Sequence, residues 1–222
     1  MTIRTLRLFE DRLLAGAKPI YLPRGDRAIY VRSGECDFVT DSRSQFAREG
    51  HAVTEGDQVT LINGTVDTVL WRWELADGDD LRDEDFHLRS APQAETELKI
   101  KADFEFDDRY DWLMRCDTVT FPPGGIAWTH LHQGPGIRIT LNGEITIETE
   151  GERHTHPAGS PWVEKGVLPV FAPTTEEEST TFVRCFILPS QLKGVSSIRI
   201  VYPQDWDKPN MQQYRVLCER IM

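Results

Sequence analysis

The sequence predicts an all-β protein made of two similar halves. Three observations carry this. Short runs alternate apolar and polar residues and are rich in β-branched and aromatic side chains. Glycine and proline punctuate the chain between those runs, 16 and 13 times in 222 residues. No long segment shows a helical repeat of apolar positions.

Taken in order, "RAIYVRSGECDFV" (27–39) reads as two short strands around Ser33-Gly34. "TVLWRWEL" (68–75) reads as a further strand. The stretch 77–97, "DGDDLRDEDFHLRSAPQAETE", is acidic and interrupted by Pro92, so it reads as a linker between domains at 1–76 and 98–222. "IRITLNGEITIETEG" (137–151) reads as two strands around Asn142-Gly143, an Asn-Gly hairpin turn. "TTFVRCFIL" (180–188) is another strand. The segment from Ser196 begins like a strand and then carries prolines, so it is expected to pack back on a barrel or on a partner subunit.

The two halves align when Gly34 is set on Gly143. Downstream, "EGDQVTL" resembles "AGSPWVE" at a shorter offset, so one hairpin is expected to differ in length, and "TVLWRWEL" resembles "TTFVRCFILP". In the Gly34–Gly143 register His130 pairs with Tyr21, His132 with Pro23, Gly136 with Arg27 and Arg138 with Ile29. The first half lacks the histidines, so it is expected to be a packed β unit without metal, with Tyr21 and Ile29 filling its interior.

The formal net charge of -11 gives a field that repels nucleic acid and anionic membrane. No apolar run approaches a membrane span, and "MTIRTLRLFE" has no signal-like apolar stretch. Cys36, Cys116, Cys185 and Cys218 are widely spaced and form no CxxC pair. A cytoplasmic protein with free thiols is the expectation.

The second half resembles the cupin superfamily. Its first motif runs glycine, five residues, His-x-His, three or four residues, glutamate, six residues, glycine. Gly124, His130, His132 and Gly143 fit that spacing without gaps, while Gly136 stands at the glutamate position. The second motif normally brings a third histidine, which here falls on Pro169 or Val170. Together with the repeat, the resemblance implies a bicupin, two tandem jelly-roll barrels with a degenerate metal site in the second. It implies a divalent iron, manganese, nickel or zinc ion, a small-molecule substrate and a homodimer. Dioxygenase-like action on a carboxylate- or diketone-bearing molecule comes first. A cupin isomerase or lyase, or a non-catalytic binding protein, is the alternative.

On a strand, residues i and i+2 share a face, so His130 and His132 can reach one ion; the same spacing also suits two hydrogen-bonded strand histidines. A third donor is needed. Glu164, a lone carboxylate in "PWVEKGVLPVF", is the first candidate, His156 the second and Gln133 a weaker one. Arg138, if inward, either captures a substrate carboxylate or pairs with Glu164 or Glu148. Trp128 and Trp162 are candidate apolar walls of a substrate pocket, or core residues.

Overall fold

The computed structural model describes residues 1–77 and 92–222. Most of the acidic 77–97 stretch therefore lies outside the described residues. What is described is almost entirely strand: β1 (Thr2–Leu13), β2 (Ile20–Leu22), β3 (Asp26–Ser33), β4 (Glu35–Val39), β5 (Ser44–Arg48), β6 (Ala52–Glu55), β7 (Val59–Asn63), β8 (Thr68–Asp77) and β9 (Ala94–Phe106). Then follow β10 (Trp112–Phe121), β11 (Ile126–Leu131), β12 (Gly136–Asn142), β13 (Glu144–Thr149), β14 (Glu152–Pro157), β15 (Pro161–Glu164), β16 (Val170–Pro173), β17 (Thr180–Pro189), β18 (Arg199–Ile200) and β19 (Gln213–Ile221). None of the described helices is long and apolar enough to cross a membrane.

The chain divides into two compact units at residues 109 and 110. The second unit begins later than position 98 because β9 pairs along the whole of β1 and belongs to the first sheet. The first unit has sheets ordered β6-β3-β8-β1-β9 and β2-β7-β4-β5. The second has β15-β12-β17-β10-β19 and β14-β13-β16-β11-β18. Strand for strand this is the same antiparallel jelly roll, with β18 added to the second copy.

The hairpins at Gly34 and Gly143 share one device. Both glycines have positive φ, +79° and +71°. A Cβ at either would meet a carbonyl at 2.6 Å (Asp67) or 2.7 Å (Ser179), and beside it a threonine hydroxyl. That hydroxyl latches the turn. Thr68 Oγ1 donates to Glu35 O at 2.9 Å, and Thr180 Oγ1 donates to Glu144 O at 3.0 Å.

Other parts of the sequence alignment shift. Glu55 pairs with Arg27, and Glu164 with Gly136, so Glu55 and Glu164 are the equivalent positions, and "EGDQVTL" does not lie on "AGSPWVE". Leu22 faces Val59 as His130 faces Val170, so the counterpart of His130 is Leu22 rather than Tyr21. Tyr21 is 73% exposed and fills no core.

The first barrel is packed by Leu13, Ile20, Leu22, Ile29, Val31, Phe38, Leu61 and Leu70. Its interior is nevertheless not wholly apolar. Arg72 binds Asp11 at 2.6 Å and Glu74 at 2.7 Å, and Arg27 binds Glu74 at 3.2 Å. Charges buried this deeply are tolerated only when paired.

Candidate small-molecule site in the C-terminal barrel

Two apolar clusters fill the second barrel from either end. Val119, Phe121, Ile145, Trp162, Val170 and Phe182 form one. Leu113, Phe186, Leu188 and Leu192 form the other. Between them the strands carry a polar layer: Asp117 on β10, His130 on β11, Arg138 on β12, Glu164 at the end of β15 and Arg184 on β17, with His132 just beyond β11.

A β-bulge sets the histidines. Ala127 faces Ala172, but His130 faces Val170, so β11 advances three residues against two on β16. The extra residue reverses the phase of the strand and turns His130 and His132 inward. Both are buried, and their rings meet edge to face at 5.0 Å. Val170, one of the two positions on which the resemblance sets a third histidine, faces His130 in this register.

Each imidazole is held by its Nδ1. That of His130 donates to Trp128 O at 2.8 Å, because a carbonyl only accepts. That of His132 lies 3.1 Å from Ser197 Oγ. The Nε2 atoms make no hydrogen bond among the described residues. Burial pushes the His130 pKa down. Burial, then the nearby Arg184, His130 and Arg138, push that of His132 down further. Both rings are therefore neutral at physiological pH.

The Gly136 departure and Arg138 are one feature. A Cβ on Gly136 would run into the Cys185 carbonyl and come within 3.1 Å of Arg138 Nη1. The space into which a glutamate would project is thus closed by backbone and by a guanidinium. Arg138 Nη1 donates to Gly136 O at 2.7 Å, and Nη2 lies 2.8 Å from Glu164 Oε2. That ion contact is close but not aligned as a hydrogen bond, since both atoms lack a bonded partner by geometry. Glu164 Oε1 accepts from Trp162 Nε1 at 2.8 Å. Burial raises the Glu164 carboxyl, but Arg138, then His130 where acid has protonated it, and the Trp162 hydrogen bond outweigh it and leave it lowered and ionised. Burial depresses Arg138 to about 10, still charged at neutral pH.

Phe186 ties the layer together. Arg138 and Arg184 lie over its ring at 4.6 and 4.3 Å, and the His132 ring is 4.9 Å away. Arg184 also grips Asp117, Nε to Oδ1 at 2.6 Å, which leaves its Nη1 without a hydrogen bond among the described residues. Neither Arg184 nor Asp117 stands out in the sequence; the signal is a charged residue at an inward position of each strand, visible once the phase is known.

These donors do not fit a metal ion. Among the described residues no three His, Cys, Asp or Glu side chains converge on one point. Glu164 is engaged by Arg138 and Trp162, so it is not a free third ligand. His156 is not brought to the pair: it stacks on Trp162 at 5.0 Å with Nδ1 3.1 Å from Ser160 Oγ. Gln133 is half-buried and out of phase with His132. Two guanidinium groups lie beside the imidazoles and lower the His132 pKa, and each is already paired with a carboxylate that a metal would otherwise use.

A cavity of about 190 Å³ opens beside the layer. His132, Arg184 and Arg115 line it from the barrel; Ser197, Ile198, Ile200, Trp206, Lys208 and Tyr214 line it from the C-terminal segment. Trp128 is on its wall, with Lys208 Nζ 3.8 Å from the centre of its ring. Trp162 is instead core.

No protein-family model and no curated protein sequence matches the chain. Solved structures match in fold. AerE from Microcystis aeruginosa is 13% identical with a TM-score of 0.54, covering 81% of this chain and 87% of its own. A salicylate 1,2-dioxygenase variant from Pseudoaminobacter salicylatoxidans, in complex with gentisate, is 11% identical with a TM-score of 0.55, covering 96% and 73%. An oxalate decarboxylase variant from Bacillus subtilis is 12% identical with a TM-score of 0.58, covering 86% and 73%. The chain shares its jelly-roll fold with these structures; identities this low carry nothing about its chemistry.

Proposed function

We propose that the chain binds a small organic carboxylate in the C-terminal barrel and moves a proton on it, an isomerase- or lyase-type activity that uses no metal. One observation carries the reading: Arg184 and His132 line the same cavity, and no hydrogen bond to Arg184 Nη1 or His132 Nε2 is found among the described residues beyond the hold of Ser197 on the His132 ring. A guanidinium edge suits a carboxylate, and the Lys208 ammonium adds positive field at the same wall. A neutral imidazole has a lone pair for a proton, its basicity here being restored by the negative charge of a bound carboxylate, and Ser197 holds its ring. Trp128, Ile198 and Ile200 supply an apolar wall for the body of the ligand.

A dioxygenase-like reading built on two histidines and a carboxylate lacks its third ligand among the described residues, where the donor set supplies two imidazoles. Calorimetric titration in the presence of a chelator tests the proposal. A panel of small aromatic and aliphatic carboxylates should bind, and their amides should not. Proton–deuterium exchange at the carbon next to the carboxylate should accompany binding in wild type and vanish in His132→Gln. Binding without exchange would leave a carrier rather than an enzyme. Failure of every carboxylate to bind would overturn the reading.

A further inference from the structure

Three cysteines lie in one row across the second unit. Cys116 on β10 is the direct partner of Cys185 on β17 and of Cys218 on β19. All are free thiols. Directly opposed residues of antiparallel strands have Cα atoms about 4.5–5.5 Å apart. That range lies inside the window of about 4.4–6.8 Å that a disulfide spans.

Exposure separates the two possible pairs. Cys116 and Cys185 are wholly buried on interior strands. Cys218 is half-buried, and β19 is the edge strand of its sheet. A small oxidant therefore reaches Cys218 first. The thiols of Cys116 and Cys218 also sense each other: contact with Cys218, ahead of burial, pushes the Cys116 thiol up. The register shifts beside the pair, between Cys116 and Asp117, where β19 has an extra residue. Such a bulge adds local twist and gives the edge strand room to adjust.

We propose that Cys116 and Cys218 form a reversible disulfide when the protein meets hydrogen peroxide. The Cys218 thiolate attacks one peroxide oxygen, the O–O bond breaks, and water leaves once the departing hydroxide is protonated. The Cys116 sulfur then attacks the sulfenic sulfur of Cys218. The S–S bond forms, the S–O bond breaks, and a second water leaves. Two thiols are oxidised by two electrons and one peroxide is reduced. The product staples β19 to β10. Asn210 and Gln212, just before β19, and Tyr214, within it, lie on the cavity wall, so the staple holds that wall in place. This inference stands independently of the ligand proposed above.

Peptide mapping of the full-length protein tests it. After brief treatment with hydrogen peroxide, and before any alkylation, the intact mass should fall by two hydrogens. The unfolded chain should then show two reactive thiols in place of four. One linked peptide pair should join Cys116 to Cys218, and dithiothreitol should restore all four thiols. Cys185→Ser should keep the link and Cys218→Ser should lose it. A Cys116–Cys185 link, or two oxygens added to Cys218 with Cys116 still reduced, would overturn the proposal. The wild-type map alone decides this if either variant folds poorly.

Discussion

Arg138 folds back along its own strand and donates to the carbonyl of Gly136, two residues earlier, at 2.7 Å. The contact exists because position 136 has no side chain. Glycine at the place of a motif glutamate and arginine two positions on are therefore a single change. A potential carboxylate is removed, and a guanidinium closes the gap.

Gly136→Ala tests that coupling. The added Cβ meets the Cys185 carbonyl and crowds Arg138. The neighbouring atom is backbone, so β12 and β17 must separate. A loss of about 1–3 kcal/mol is expected from such overpacking, read from the midpoint of urea unfolding.

The buried Arg138–Glu164 pair predicts a non-additive pattern. Glu164→Ala leaves an unpaired buried cation and should cost about 3–5 kcal/mol. Arg138→Met with Glu164→Leu removes both charges and should cost much less. A double-mutant cycle by chemical denaturation measures the difference.

Acid should weaken the fold in two stages. The folded barrel holds His130 and His132 neutral, with pKa values below their ordinary 6.5. The unfolded chain binds those protons more readily. Their contribution is complete above about pH 6.5 and declines as pH falls from there toward the folded values. Glu164, whose folded pKa is lowered from 4.5, adds stability that is present above that value and lost as pH falls through the folded one. Unfolding free energy against pH checks both, and NMR of the His132 ring should show no titration near 6.5.

A third imidazole can be offered to the existing two. Val170 faces His130 across the β11–β16 ladder, so Val170→His places a new ring beside the pair. Wild type is expected to retain less than one equivalent of nickel or zinc after gel filtration, and the variant more. Equal retention would mean that the Arg138 guanidinium, rather than the missing ligand, excludes the ion.

Much of the fold was legible in the chain, for physical reasons. Gly34 and Gly143 sit in turns that only a positive φ satisfies, so the hairpins announced themselves. The His-x-His spacing placed both rings on one face, as strand geometry requires. The bulge at Trp128 and Thr129 did not show, because an extra residue leaves no compositional mark; that is why Tyr21 rather than Leu22 seemed to match His130. The Arg184–Asp117 pair joins strands 67 positions apart and has no local signature. Nor does the cavity, whose outer wall comes from residues well downstream of the barrel that they cover.

The pairing of β10 with β19 also bears on synthesis. β10 takes one neighbour from residues 180–189 and the other from residues 213–221, so its outer edge stays open until the second of these has left the ribosome. An uncovered strand edge invites pairing with another chain. Translation pauses or truncations between those two segments should therefore yield aggregating nascent chains, while a stop just before β10 leaves the first jelly roll already complete.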